Sequence, residues 1–569
     1  MASPGDARGC EGRRDRTCGN VVGDCVVSAG STGGIALRLP RGELGAGVGL
    51  SMMNARLQAA YRAMVDGLWL MLLVSIPVTS FPPLVELVGG TPVAPLALVP
   101  LGALVAIWLV PALLRGRRLP VLVAPLLLFA AIAILSAGVG LGLGILPVRG
   151  TSVLGRELRA LLTLALALGF YLGAALLPGE RGRLRLALRA ITVGGVLMLL
   201  WSTVQAGVVM TGGESVPQTF VDLQRLIAPR DPVPDRLTGL AFEPSWLGDQ
   251  LVTFYLPLWL GAVLTRTSAW SSRRRGWWVE AGLGVWGILV LVLTRSRISY
   301  VSFALALAVL GMIAVWRGSG WIERQRKGSV LARVNRGAAF ALRLGMILAF
   351  LGVSLAGLVV ATRAYSRVDP RMIRLFQTLD RLPEARALHP NEVVYELANR
   401  VAFAERIVYW QAGFTTFAQH PLLGVGFGNA GFFMEGNLPG YAFRLTEIRD
   451  LLSGAFAGLP NPKNLWIRLL AETGLVGFAA FLTWWLLVGA SAVSLWRRGS
   501  GLKRLIGCAG LIGWLAAIGE GFSLDTFALP HIWILLGLVT QALLLPSPAP
   551  PADPHAPSPL NSGLPSASP

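Results

Sequence analysis

His420-Pro-Leu-Leu-Gly-Val-Gly-Phe-Gly-Asn429 and Asn464-Leu-Trp-Ile-Arg-Leu-Leu-Ala-Glu-Thr-Gly474 close a long polar excursion that runs from about Thr362 to Gly477. Everything around it is hydrophobic. Of 569 residues, 54% are apolar and 14% charged, with a mean hydropathy of +0.61. Soluble domains carry about 25% charged residues, so this chain is depleted by nearly half. Apolar runs of about twenty residues recur, each long enough to cross about 30 Å of hydrocarbon as helix. The expected fold is an all-α polytopic membrane protein of about twelve spans, with one long helical loop between the ninth and tenth. The spans are expected at 67–88, 93–114, 121–146, 158–177, 186–210, 246–264, 277–293, 298–316, 339–361, 465–495, 505–519 and 527–545.

Arginine placement sets the expected orientation. The short loops 115–118, 179–189, 266–275, 317–336 and 497–504 hold 21 Lys or Arg against two acids, Glu180 and Glu323. The loop 362–463, on the opposite side, holds eleven basic and nine acidic residues. Such a bias in short loops fixes topology, so both termini are expected in the cytoplasm and the long loop outside. The net charge of +20 is then an orientation signal and an affinity for membrane lipids of negative charge, with no nucleic-acid partner. The expected organisation is a disordered cytoplasmic tail over 1–60, spans one to nine over 61–361, an extracytoplasmic loop over 362–463, spans ten to twelve over 464–545, and a disordered Pro-rich tail over 546–569. The first segment has no apolar stretch and fits neither a signal peptide nor a span; Met52 or Met53 would serve equally as a start. Cys10, Cys18 and Cys25 follow no zinc spacing and Cys508 falls in a span, so neither a disulfide framework nor a metal site is expected.

Three polar segments converge on the expected outer face. In the first, Glu243 stands before Pro244 and Ser245 at the start of a span. An acid there complements the positive helix end, or serves catalysis or acceptor binding. In the second, Arg295 and Arg297 end an apolar helix on the side where arginines are sparse. They either complement the negative helix end and snorkel to lipid phosphate, or clamp a phosphate-bearing lipid through their guanidinium forks. In the long loop, Val394, Leu397, Val401, Ala404 and Val408 fall at helical spacing, and Arg406 lies off that stripe with Phe403 and Trp410. An arginine between aromatics holds a sugar or phosphate, or anchors an interfacial helix among headgroups. The piece 372–382 reads as a second interfacial helix. Alternate glycines in 420–429 let the backbone turn tightly or approach a ligand, and His420 before Pro421 reads as a helix stop or a base. Asn464, Arg468 and Glu472 at i, i+4 and i+8 give one polar face, either as an intrahelical ion pair or as a binding surface.

In this order, Phe242-Glu-Pro-Ser245, Thr294-Arg-Ser-Arg297, Arg406–Trp410, His420–Asn429, Asn464–Gly474 and Pro530-His-Ile-Trp533 resemble the O-antigen ligase / Wzy polymerase superfamily of polytopic glycosyltransferases. The resemblance covers roughly 236–545. It implies a reaction at the outer face of a bacterial inner membrane, in which a glycan on polyprenyl pyrophosphate passes to an acceptor glycan or lipid without cofactor, metal or nucleotide. A flippase and a chain-length regulator are the implied partners. By this likeness Arg295, Arg297 and Arg406 stabilise the leaving pyrophosphate. Glu243 orients or deprotonates the acceptor, and Trp410, His420, Lys463, Asn464, Arg468 and Glu472 hold substrate. Lys463 departs from the pattern, because ligases of the superfamily commonly have histidine before the asparagine. That substitution argues against a histidine-dependent ligase and towards a polymerase. The rivals are a transporter, which needs acids or histidines inside spans and inverted repeats, and a structural subunit, which leaves the outer arginines unexplained. The span interiors expected from the sequence carry almost no such groups.

Overall fold

The computed structural model describes residues 55–90, 93–177, 179–211, 216–233, 235–270, 276–326, 344–345, 403–454 and 458–546. Residues 1–54 and 547–569 of the two tails, the ninth expected span apart from residues 344–345, the 372–382 helix and the stripe positions Val394, Leu397 and Val401 lie outside them, whereas residues 55–60, expected in the disordered tail, are helical. Among the described residues the chain is helical, with two isolated bridges and no named strand. The long helices are α1 (Ala55–Ser75), α2 (Leu98–Leu114), α3 (Val121–Gly142), α4 (Val153–Leu176), α5 (Arg181–Thr211), α6 (Pro244–Thr265), α7 (Trp278–Thr294), α8 (Arg297–Arg326), α9 (Ala404–Gln419), α10 (Leu465–Arg498), α11 (Leu502–Glu520) and α12 (Pro530–Leu544). Seven are long and apolar enough to cross a membrane, and α2, α7, α12 and the Arg297–Ile313 part of α8 are shorter apolar helices. The protein is an all-α polytopic membrane protein.

Proline sets several boundaries. The first span was expected to run unbroken over 67–88, but α1 ends at Ser75 and a short helix covers Pro82–Leu87. Pro77 cannot continue a helix, and Pro82–Pro83 start a new one. Inside α2, Pro111 lacks the amide that would bond to the Ile107 carbonyl, the helix widens into a π turn over Val105–Leu109, and Tyr61 donates its hydroxyl to that carbonyl at 3.0 Å. Pro257 does the same in α6, with a π turn over Leu251–Tyr255. Gly513 of α11 packs directly on the freed Thr253 carbonyl, where any β-carbon would clash. Helix α11 lies at the centre, packed by α6, α8, α10 and α12.

The two ends of the bundle differ in chemistry. At one end Arg62, Arg117 and Arg183 surround one cavity, and Arg181, Arg185 and Lys503 line another. The 403–454 segment, the start of α10 and the α11–α12 loop gather at the other. Below that second end lies an aromatic core: Phe427 stacks on Phe527 at 6.0 Å, and Trp484 on Trp533 at 5.4 Å.

Candidate functional site

Helix α10 would be about 51 Å long if it were straight, well beyond a bilayer's hydrocarbon. It breaks instead at Gly474, whose φ of 62° and ψ of −167° are open to glycine. The break separates a short helix, Leu465–Thr473, from the longer remainder. Into it runs the 420–429 string: Leu475 and Val476 donate their amides to the carbonyls of Pro421 and Leu422, and Val425 donates to Ala471. Ser136 of α3 donates to the Leu423 carbonyl at 2.8 Å. A β-carbon on Gly424 would strike the Glu472 backbone, one on Gly426 the Asn429 amide, and one on Gly428 the Ala160 side chain. The alternate glycines therefore serve close approach to protein, the packing side of the two uses their spacing allows.

This threading places a buried ion pair at the end of the bundle where the 403–454 segment gathers. Arg468 Nε donates to Glu472 Oε2 at 3.1 Å, with side chains 13% and 3% exposed. Arg468 also donates to the Asp525 carbonyl and lies 6.0 Å from the ring centroids of both Phe427 and Phe527. Glu472 accepts from the Gly428 amide, and Arg156 of α4 acts electrostatically on the pair while donating to the Gly428 carbonyl at 3.2 Å. Beside it, Asn429 donates to the buried Glu157 at 2.6 Å. Asn464 belongs to no polar face with these residues. It caps α10, its Oδ1 accepting from the amides of Trp466 and Ile467 at 3.0 and 3.1 Å, the use expected of asparagine at that position.

Arg406 sits on α9, whose opposite face buries Ala404, Val408, Tyr409 and Ala412. Its Nη1 donates to the Ser523 carbonyl at 3.3 Å, in the α11–α12 loop. Phe403 meets Trp410 edge-on at 5.3 Å, and Trp410 meets Phe522 at 5.7 Å. Burial lowers the Arg406 guanidinium from its ordinary value; the carboxylates of Glu447, Asp525, Glu520 and Glu243 oppose this. The indole Nε1 of Trp410 and the Nδ2 of Asn464 are buried without a hydrogen-bond partner. A fixed cation, ringed by acids and aromatics and lined by unsatisfied donors, is suited to a ligand that brings anionic oxygens and hydroxyls.

Glu243 precedes α6 in extended conformation, with Pro244 as the first helical residue. Arg230 donates to its Oε1 at 2.6 Å and Ser245 to its Oε2 at 3.1 Å. The Thr294–Arg297 turn packs against the same helix, since a β-carbon on Gly248 would strike Ser296 and Ser299. Arg295 takes a left-handed conformation and stands 4.0 Å from Asp235. Arg297 opens α8. Lys463 is also left-handed; its Nζ pairs with Glu447 and lies 4.6 Å from the Tyr409 ring centroid. Tyr409 donates to the same carboxylate at 3.1 Å, and burial with that carboxylate pushes its phenol up. His420 caps the end of α9, its ring edge-on to Phe433 at 5.7 Å.

The structure thus brings Glu243, Arg406, Trp410, Lys463, Asn464, Arg468 and Glu472 to one end of the bundle, with the Arg295–Arg297 turn against the helix that Glu243 begins. His420 stands apart as a helix stop. Sequence reasoning missed Arg156, Glu157, Asp249, Glu447, Glu520 and Asp525, and gave His531 of the Pro530–Trp533 string no role. Among the acids and histidines, Asp249, Glu472 and His531 are buried inside the expected spans and Glu157 and Glu520 one residue outside them, all near helix ends. Single charges near helix ends scarcely move a window of about twenty apolar residues, so hydropathy passed over them. Among the described residues no group of three or more His, Cys, Asp or Glu is placed to hold a metal ion.

Residues 282–482 match the family model Wzy_C, described as O-Antigen ligase. The matched region runs from α7 into α10 and takes in Arg295, Arg297, Arg406, Trp410 and the Lys463–Glu472 segment; Glu243 and the α11–α12 loop lie outside it. No curated protein matches the chain.

Proposed function

Since this chain belongs to the O-antigen ligase/Wzy superfamily, with the polysaccharide ligase or polymerase role that membership carries, we propose that it is a glycosyltransferase of the bacterial inner membrane that polymerises polyprenyl-pyrophosphate-linked repeat units at the outer face. The observation that carries this reading is Arg406, fixed on Ser523 between Phe403, Trp410 and Phe522 and facing four carboxylates.

In this reading the acceptor hydroxyl attacks the anomeric carbon of the lipid-linked sugar. The bond from that carbon to the pyrophosphate oxygen breaks, and the leaving group takes the electron pair. The developing anion is met by Arg406, with Arg295 and Arg297 at the neighbouring turn, as fixed cations that need no reorganisation during the reaction. Trp410 offers an apolar face and an indole N–H to a sugar. Glu243 accepts from the acceptor hydroxyl and orients it. Arg468 and Glu472 hold the wall of the site in place, and the 463 side chain meets the pyrophosphate. A lysine paired with Glu447 is not placed to act as a base, which supports polymerase over ligase.

Deleting the gene and separating surface polysaccharide on a gel tests this. Loss of the ladder with a single repeat unit remaining is the polymerase outcome. A bare acceptor with accumulating lipid-linked polymer would establish a ligase, and an unchanged profile would overturn both.

A further inference from the structure

Of the family-like strings, Pro530-His-Ile-Trp533 has no part in the reaction described so far, and the structure places its histidine deep in the bundle. His531 Nε2 lies 2.8 Å from Asp249 Oδ2, with side chains 1% and 7% exposed. Asp249 faces Glu520, the last residue of α11 and equally buried. Neither Glu520 oxygen reaches hydrogen-bond geometry with a protein partner, although the Ser299 hydroxyl of α8 lies beside it. The charged groups acting on Glu520 are Asp249 from α6 and Arg406 from α9, with His531 of α12 behind Asp249. On the α10 side its surroundings are aromatic and apolar, from Leu465, Phe481 and Trp485.

We propose that Glu520, backed by the Asp249–His531 pair, takes up the proton released by the acceptor hydroxyl; this rests on the glycosyl-transfer reading above. A buried carboxylate with the Ser299 hydroxyl as its neighbouring donor is costly in a membrane bundle, and such groups mark proton paths. Glu520, Asp249 and His531 share a cavity of about 60 Å³, directly under the loop whose Ser523 carbonyl holds Arg406. The cavity is mostly apolar but has room for a water molecule held by Glu520, Asp249 and His531, which gives the proton a route. Glu243, which accepts from Arg230 and Ser245, keeps the orienting role. In the step, the acceptor oxygen bonds to the anomeric carbon as the bond to pyrophosphate breaks. The leaving group takes the electron pair, and the hydroxyl proton passes to a Glu520 oxygen. That proton then leaves to the pyrophosphate or to solvent. Asp249 and His531 hold the charge and position of Glu520 and are positioning residues.

The test is turnover against pH for the full-length protein in lipid nanodiscs, fed the lipid-linked repeat unit of its own cell. Glu520→Gln is expected to lower kcat about 100-fold or more with KM little changed, within the range of a lost general base. Its residual activity should lack the acidic limb of the wild-type pH profile, and Glu520→Asp should recover part of the rate with the limb displaced. Near-wild-type kcat in Glu520→Gln with the limb intact overturns the proposal, as does loss of the limb in Glu243→Gln alone. Should Glu520→Gln unfold at lower temperature than wild type, Glu520→Asp decides, and a limb at its wild-type position overturns the assignment. A wild-type protein that transfers no glycan overturns the glycosyltransferase reading itself, a result distinct from an active protein indifferent to residue 520.

Discussion

Arg406 donates to the carbonyl of Ser523 at 3.3 Å and so ties helix α9 to the loop between α11 and α12. The same loop gives the Asp525 carbonyl to Arg468, so two guanidinium groups from different segments are registered on one short stretch of backbone. Arg406→Ala is expected to lower kcat/KM by about 10²–10³, the usual effect of removing a fixed donor from a developing anion. Arg406→Lys should recover little, because an ammonium cannot hold the carbonyl and a ligand in one planar fork. The apolar face of α9 is untouched, so both variants should reach the membrane in normal amounts. Wild-type transfer by both, measured on membranes of matched protein content, would remove Arg406 from the site.

Gly474→Ala tests the threaded break in α10. Its φ of 62° already disfavours a side chain, and a β-carbon there would overlap the Leu422 carbonyl. The cost should exceed about 1 kcal/mol, the scale for alanine at a positive-φ glycine. The 420–429 string would have to retreat, which loosens Arg468 and Glu472. Lower thermal stability together with lost transfer is expected. An alanine variant as stable as wild type would mean that the loop and the break are independent.

The spans were legible because about twenty apolar residues in a row admit one answer in lipid. Pro77 and Pro82 were equally visible, yet a window average runs across them, and the first span was placed too late along the chain. Arg406 with Phe403 and Trp410 could be read from helical spacing, since all three lie within two turns. Glu520 could not. Its meaning depends on Asp249, His531 and Arg406, which are distant in sequence and meet only through the packing of α6, α9, α11 and α12. The glycines of 420–429 announced close approach correctly, but sequence does not say whether backbone or ligand is being approached.

Lys463 separates a structural role from a binding one. Its pair with Glu447 is 39% and 36% exposed, and exposed pairs contribute about 0–1 kcal/mol. Lys463→Ala should therefore leave stability within about 1 kcal/mol of wild type. If the side chain also meets pyrophosphate, KM for the lipid-linked donor should rise severalfold while kcat changes less. An unchanged KM would confine Lys463 to holding Glu447 and Tyr409.

Orientation is open to chemical labelling. Ser453 and Ser500 are both exposed and lie at opposite ends of the bundle, Ser500 lining the cavity with Arg181, Arg185 and Lys503. Short basic loops stay on the cytoplasmic side, because carrying arginine across the membrane is costly. In a background lacking the four native cysteines, a membrane-impermeant maleimide applied to intact spheroplasts should label Ser453→Cys and spare Ser500→Cys. Permeabilising the membrane should then expose the second position. The reverse pattern would put Glu243, Arg406 and Arg468 on the cytoplasmic side, where the proposed reaction at the outer face could not take place.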